Sequence, residues 1–191
     1  AFGRFVKPRL GISIDQKSLG FLQSLEEIAE RKAKWVFMTT NSGMKQMRQD
    51  MDKDKIPDHW HLVPNPVKVT LTERALTCNE LAIDENDKLL IAAGQLIPLK
   101  RFDLLLRSVA LIPEKNRPRV IILGEGPEKD ALVGLAKESG IDNFEIRVTD
   151  QIGKYLSIAC IYASTSSTEA FGMANCEALL AGVPSVCTAV D

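Results

Sequence analysis

The stretch Leu89-Leu90-Ile91-Ala92-Ala93-Gly94-Gln95-Leu96, followed after Ile97-Pro98-Leu99-Lys100-Arg101 by Phe102-Asp103-Leu104-Leu105-Leu106-Arg107-Ser108-Val109-Ala110-Leu111-Ile112, decides the fold. Residues 89–96 are an apolar run of strand length. In 102–112, Phe102, Leu105, Leu106 and Val109 follow the i, i+3, i+4, i+7 spacing of one buried helix face, and Pro113 stops the helix. The alternation repeats downstream. Strands are expected at 119–123, 144–148, 160–164 and 184–190, and helices at 128–139, 151–159 and 173–181. Strand-helix alternation on this spacing implies an α/β fold, a doubly wound parallel sheet with right-handed crossovers and helices on both faces.

Upstream the pattern weakens. A helix is expected at 17–32, a strand at 35–39, a polar helix at 42–52 and a short strand ending in His61-Leu62-Val63. Pro64-Asn65-Pro66 continues neither a helix nor a central strand, so it reads as a linker. The expected division is 1–63 as the tail end of another domain, 64–88 as linker and entry, and 89–191 as the doubly wound domain. The sequence starts at Ala1 without Met and stops at Asp191 directly after an apolar run, which gives the expectation of a truncated chain.

The 191 residues are 45% hydrophobic and 26% charged, enough for one good core and too apolar for disorder. Twenty-four Lys+Arg against 25 Asp+Glu leave a net charge of -1, which disfavours a polybasic nucleic-acid tail. Cys78, Cys160, Cys176 and Cys187 form no C-x-x-C pair and three of them lie in apolar runs, so reduced, buried thiols and a cytoplasmic location are expected. No run approaches the ~20 apolar residues of a membrane span.

In a doubly wound sheet, ligands bind beyond the carboxyl ends of the strands, where strand order reverses. The loops to inspect are 95–101, 124–127, 149–152 and 165–172. Lys100 and Arg101 stand at the positive end of the helix that begins at Phe102, an unfavourable place for cations that a bound phosphate would reverse; a solvated pair at a loop tip is the alternative. Gly124-Glu125-Gly126-Pro127 follows a strand and opens a helix, but Lys129 occupies the third glycine position of a dinucleotide fingerprint. Gly124 and Gly126 either let backbone approach a ligand or make a tight turn with Pro at the helix start. Glu177 has Met173, Ala174, Leu180 and Ala181 as helical neighbours, and none can pair with it. Either two ribose hydroxyls donate to that carboxylate or it lies on a narrow solvent-facing stripe beside Asn175. Glu169 precedes the same helix, near backbone N–H groups at Gly172 able to receive phosphate or a sugar oxygen.

Other signals carry less. Asp52-Lys53-Asp54 spells an acidic-x-acidic pattern but lies in a run of alternating charge, and His59 and His61 share a strand face without an evident third ligand, so no metal is expected. The sequence contains no G-x-S-x-G elbow, Walker loop or H-E-x-x-H.

Together these residues resemble a known family. From about Asn65 onward the chain is similar to the C-terminal, donor-binding domain of two-domain GT-B glycosyltransferases of the retaining family 4 type, also called group 1. The resemblance rests on Glu169 and Glu177 at Glu-x7-Glu spacing, Glu169-Ala170-Phe171-Gly172 for E-G-F-G, Gly124-Glu125-Gly126-Pro127 for G-[DE]-G-P, and Pro64-Asn65-Pro66-Val67 for P-N-G-V. It implies catalytic roles for Glu169 at the transferred sugar and for Lys100 at the diphosphate, and ribose binding by Glu177. Phe171, Gly172 and Met173 would line the donor with Gly124 and Gly126. Gln95 stands where an arginine is usual, which removes a permanent charge and a bidentate donor and leaves Arg101 as substitute.

The implied reaction moves a sugar from a nucleoside-diphosphate sugar to an acceptor hydroxyl with retained configuration, without metal or cofactor. Its implied partners are the donor, an acceptor glycan, lipid-linked sugar or small molecule, and the remainder of a GT-B fold; nucleic acid is not among them. Such reactions build polysaccharides or glycoconjugates, in the cytoplasm or at the inner face of a membrane. Competing functions are a non-catalytic nucleotide-binding module, a sugar-nucleotide epimerase or phosphorylase on a similar scaffold, and a purely structural interaction domain.

Overall fold

The computed structural model describes residues 32–50 and 56–190, which fall into two units, one ending at Pro66 and the other Val67–Val190. The expected helix at 17–32 lies outside the described residues except for its last position, and Asp52-Lys53-Asp54 lies outside them entirely.

In the upstream unit, β1 (Val36–Met38) and β2 (Trp60–Leu62) pair in parallel, with Val36 opposite Trp60. Between them runs α1 (Asn41–Asp50), whose first turn is capped where the Thr40 hydroxyl accepts the Gly43 N–H at 3.0 Å. The His61 ring packs against Trp35 and Phe37, with centroids 5.1 and 5.9 Å away. His61 is thus an aromatic packing residue. Among the described residues no group of three or more His, Cys, Asp or Glu is placed to hold a metal.

The downstream unit begins with α2 (Arg74–Leu81), followed by β3 (Leu89–Ala93), α3 (Phe102–Ala110), β4 (Arg119–Leu123), α4 (Lys129–Glu138), β5 (Phe144–Arg147), α5 (Ile152–Leu156), β6 (Ile161–Ser164), α6 (Met173–Leu180) and β7 (Ser185–Cys187). All five strands pair in parallel, in the order β5-β4-β3-β6-β7. The chain moves outward from β3 to β5, then returns to the other side of β3. Strand order therefore reverses between β3 and β6. Period-two alternation divides the core accordingly. Leu90, Ala92, Val120 and Ile122 face α3 and α4 through Leu105, Leu106, Val109, Leu132 and Ala136. Leu89, Ile91, Ile121, Leu123 and Tyr162 face the opposite layer, with Cys78 of α2, Tyr155 and Leu156 of α5 and Ala178 of α6.

The strand expected at 89–96 ends at Ala93. Beyond it the backbone turns to the loop after β4, Leu96 N–H donating to Glu125 O at 2.8 Å and Glu128 N–H to Leu96 O at 3.1 Å. Leu96 is apolar because its side chain is buried, without being in the strand. Helix α5 stops at Leu156 rather than 159, and Ser157 there links two segments: its hydroxyl accepts from Thr72 N–H at 2.8 Å and lies 2.8 Å from Gly153 O. Helix α2 replaces part of the expected linker. Its sequence has no apolar stripe; Arg74 holds it by donating to Ile158 O, and Thr77 by donating to Glu73 O. All four cysteines are free and Cys78 is buried, as expected, but Cys160 and Cys187 are exposed and Cys176 is half-buried. At 160 and 187 the apolar runs lie at a strand margin and on an edge strand.

Close approach of the first two loops depends on glycine. A Cβ on Gly124 would sit 1.9 Å from Gly94 O, and one on Gly126 2.5 Å from Leu96 O. Gly134, inside α4, has nothing within 4 Å of such an atom. Gly124→Ala is expected to destabilise by about 2–4 kcal/mol through forced separation of the loops. Gly134→Ala is expected to stabilise by about 0.5–1 kcal/mol through lost unfolded-state entropy. Denaturant unfolding of the two variants measures both, and shifts of the same sign would contradict the loop contact.

Candidate functional site at the strand-order reversal

The loops after β3 and β6 leave the sheet side by side, at the reversal of strand order. The first turns tightly through Pro98–Lys100, and Arg101, at φ 49°, opens α3. The second runs from Thr165 to Gly172, whose left-handed conformation at φ 75° opens α6. Backbone and hydroxyl groups stitch them together. Ser167 N–H donates to Leu99 O at 2.8 Å, and the Thr165 hydroxyl lies 2.8 Å from Arg101 O. The hydroxyl-rich sequence after β6 is spent largely on this closure.

On that frame Lys100 Nζ meets Glu169 Oε2 at 2.5 Å. The almost fully buried Ser166 hydroxyl donates to the same oxygen at 3.2 Å. Gly94 leaves room for the lysine stem, since a Cβ there would lie 3.2 Å from Lys100 Cε. Glu169 Cγ in turn lies against Gly172. Helix α6 has no side-chain cap, and its first internal bond is Cys176 N–H to Gly172 O at 3.0 Å. The N–H groups of Met173, Ala174 and Asn175 are therefore left without helix carbonyls.

Glu177, one turn into α6, is half-buried, and its carboxylate has neither a hydrogen bond nor an ion pair among the described residues. Burial pushes its carboxyl above the ordinary glutamate range. Tyr162 of β6 lies in the core layer beneath α6. Its buried phenol is driven far above its usual range chiefly by desolvation, with smaller contributions of the same sign from Cys187, Glu169 and Glu177 and an opposing one from the Ala93 backbone.

Other residues singled out by the sequence are placed differently. Arg101 is exposed, and its Nε and Nη2 hold the Asp103 carboxylate at 3.0 and 3.3 Å. The charge at the start of α3 is answered within the chain, and Lys100 is the cation turned to the second loop. Gln95 is exposed and its side chain makes no hydrogen bond. Phe171 is half-buried and Met173 exposed at the start of α6. The space beside Gly124 and Gly126 is filled by the backbone of Gly94 and Leu96. Thr149 in the third loop accepts the Gln151 N–H at 3.0 Å, ahead of α5. Tyr162, Ser166 and Asp103 escaped the sequence reading. Asp103, two residues after Arg101, was the most accessible of the three; Tyr162 looked like core, and Ser166 was one hydroxyl among several.

Comparison with known proteins agrees with the doubly wound fold. Residues 74–191 match the family model described as glycosyl transferases group 1. The chain is 33% identical over 131 residues to the D-inositol 3-phosphate glycosyltransferase of Mycolicibacterium gilvum, covering 62% of this chain and 28% of that protein. It is 26% identical over 113 residues to the N-acetyl-alpha-D-glucosaminyl L-malate synthase of Bacillus anthracis, covering 58% and 30%. In structure it resembles WaaG, a glycosyltransferase involved in lipopolysaccharide biosynthesis, with TM-score 0.74, 18% identity and coverage of 100% of this chain and 54% of that one. Anabaena Alr3699/HepE in complex with UDP and glucose matches with TM-score 0.76, 19% identity and coverage of 93% and 49%. The chain thus spans under a third of the curated relatives and about half of these two structures. With the family model covering more than half of the chain, and a doubly wound sheet carrying the expected loops, the chain belongs to the group 1 glycosyl transferases.

Proposed function

We propose that this chain carries the donor-binding half of a retaining glycosyltransferase that moves a sugar from a nucleoside-diphosphate sugar to an acceptor hydroxyl. The observation that carries the reading is the contact of Lys100 with Glu169 at the strand-order reversal, in the loop that opens the helix carrying the unpartnered Glu177. UDP and glucose bound to the HepE neighbour support a nucleoside diphosphate as the ligand class. In this reading 67–190 holds the donor, the residues before Pro66 belong to an acceptor-side domain, and the remaining GT-B fold completes the enzyme. The acceptor is a glycan, a lipid-linked sugar or a small molecule in polysaccharide or glycoconjugate synthesis. The reaction takes place in the cytoplasm, at the inner face of a membrane where the acceptor is lipid-linked.

Each residue then has a chemical task. Two ribose hydroxyls donate to Glu177 and supply the partners that its half-buried carboxylate lacks. The diphosphate lies by the Lys100 ammonium and the open N–H groups of α6. As the bond from the anomeric carbon to the diphosphate oxygen breaks, negative charge grows on that oxygen, and the same donors stabilise it. The sugar gains oxocarbenium character beside Glu169. The acceptor oxygen bonds to the anomeric carbon on the departing face and passes its proton to the leaving phosphate oxygen. No protein nucleophile is needed.

Lys100→Ala is expected to weaken nucleoside-diphosphate binding about ten- to hundredfold, the loss of one charge-assisted hydrogen bond. Gln95→Arg is expected to tighten it by adding a bidentate cation. Calorimetric titration with UDP, GDP, ADP and dTDP reads both effects, and unchanged affinity in both variants would place the phosphates elsewhere.

Glu177 provides a test based on pH. Its folded-state carboxyl is raised by burial, so its protonated form is the favoured one; the associated stability is complete below the unfolded glutamate range and is lost as pH rises through the folded value. Glu177→Gln is therefore expected to raise the melting temperature at neutral pH, with the difference closing below the ordinary glutamate range, while weakening nucleotide binding. A lower melting temperature at neutral pH would show that the carboxylate has a stabilising partner.

A further inference from the structure

The contact between Lys100 and Glu169 creates a conflict for the proposed donor. One glutamate oxygen takes both the lysine ammonium at 2.5 Å and the Ser166 hydroxyl at 3.2 Å. The lysine and glutamate side chains are only 21% and 24% exposed, so water and salt screen the pair less than they would at an open surface. A diphosphate drawing Lys100 to itself removes Glu169's counter-charge. It would then leave a half-buried carboxylate facing an anion, with one hydroxyl donor remaining. The glutamate has little freedom to turn away. Its loop is tied to Leu99 by Ser167 and to Lys100 and Arg101 by Thr165, and its stem lies against Gly172.

Hydroxyl donors can relieve that carboxylate, and the donor and the nucleoside diphosphate left after transfer differ in those they bring to it. Both carry ribose hydroxyls, which the proposed function gives to Glu177; only the nucleoside-diphosphate sugar also brings the hydroxyls of the transferred sugar, on the far side of its diphosphate. We infer that Glu169 competes with the diphosphate for Lys100 and that the transferred sugar cancels this competition, so the site selects the complete donor over the spent nucleotide. Glu169 is thereby a specificity-determining residue that favours release of one product. This inference rests on the donor-binding function proposed above, and it adds the coupling between the two side chains.

The test compares the chain with Glu169→Gln, which keeps the size of the side chain and removes the charge competing for Lys100. Both are titrated calorimetrically with UDP and UDP-glucose, with GDP, ADP and dTDP and their glucose esters in parallel. The expected result is nucleoside-diphosphate binding about three- to tenfold tighter in Glu169→Gln, the range for releasing a partly shielded ion pair. Binding of the sugar ester is expected to be unchanged or weaker, so the preference for it collapses. Ser166→Ala provides the opposite displacement without a change of charge: Glu169 then relies more on Lys100, and the bare diphosphate is expected to bind more weakly while the sugar ester changes less. Equal or weaker diphosphate binding in Glu169→Gln, with measurable binding by the parent, overturns the inference and leaves the donor-binding function standing. If Glu169→Gln does not fold, equal losses for both ligands in Ser166→Ala overturn it. Failure of the parent to bind any of these ligands overturns the donor-binding function itself and this inference with it.

Discussion

Strand β3 is hydrogen bonded to β4 along its full length and to β6 along its other edge, and the rest of the downstream unit is arranged about that double pairing. Because the chain winds first to one side and then to the other, the loops leaving β3 and β6 diverge from adjacent strand ends in one crevice. Helix α3 packs over one face of the sheet and α6 over the other. Their starts nevertheless meet where the strand order reverses. Lys100 and Glu169, 69 residues apart in sequence, become neighbours through this topology. Their contact is a consequence of the sheet and contributes only modestly to its stability.

The site is built from charges answered within the chain and one that is not. Arg101 is held by Asp103, and Lys100 by Glu169. Glu177 alone of the site carboxylates lacks a partner among the described residues, and burial disfavours its charged form. Such a group is tolerable when a ligand supplies the missing donors, and it lowers stability while the ligand is absent. Tyr162 packs in the core layer with Ala178 of α6, the helix that carries Glu177. Burial raises its phenol far above the usual tyrosine range, and nearby carboxylates add a little in the same direction.

The layer architecture was legible in the sequence because strands buried on both faces are continuous apolar runs, while α3 shows an undisguised helical stripe from Phe102 to Val109. The two glutamates were legible through their spacing and through the apolar neighbours of Glu177. Tertiary relations were less accessible. Helix α2 is polar and depends on Arg74 and Thr77, whose acceptors cannot be read from periodicity. The glycines at 124 and 126 announced a close approach without naming its partner, which is neighbouring backbone. The positive charge at Arg101 points to an external anion only until the fold turns Asp103, two residues on, back onto its guanidinium. Apolar surroundings suggested buried thiols, but proximity to Val186 and Thr188 does not bury Cys187 on an edge strand.

The aromatic residues are divided between the two units. Trp35 and Trp60 lie upstream of Pro66, whereas Tyr155 and Tyr162 lie in Val67–Val190. Each unit therefore has its own optical signature: indole emission follows the environment of the β1–β2 pair, and phenol absorbance in the near ultraviolet follows the interior of the larger sheet. A chain whose indole signal changes under mild perturbation while its phenol spectrum stays constant has loosened the β1–β2 pair and kept the interior of the larger sheet intact.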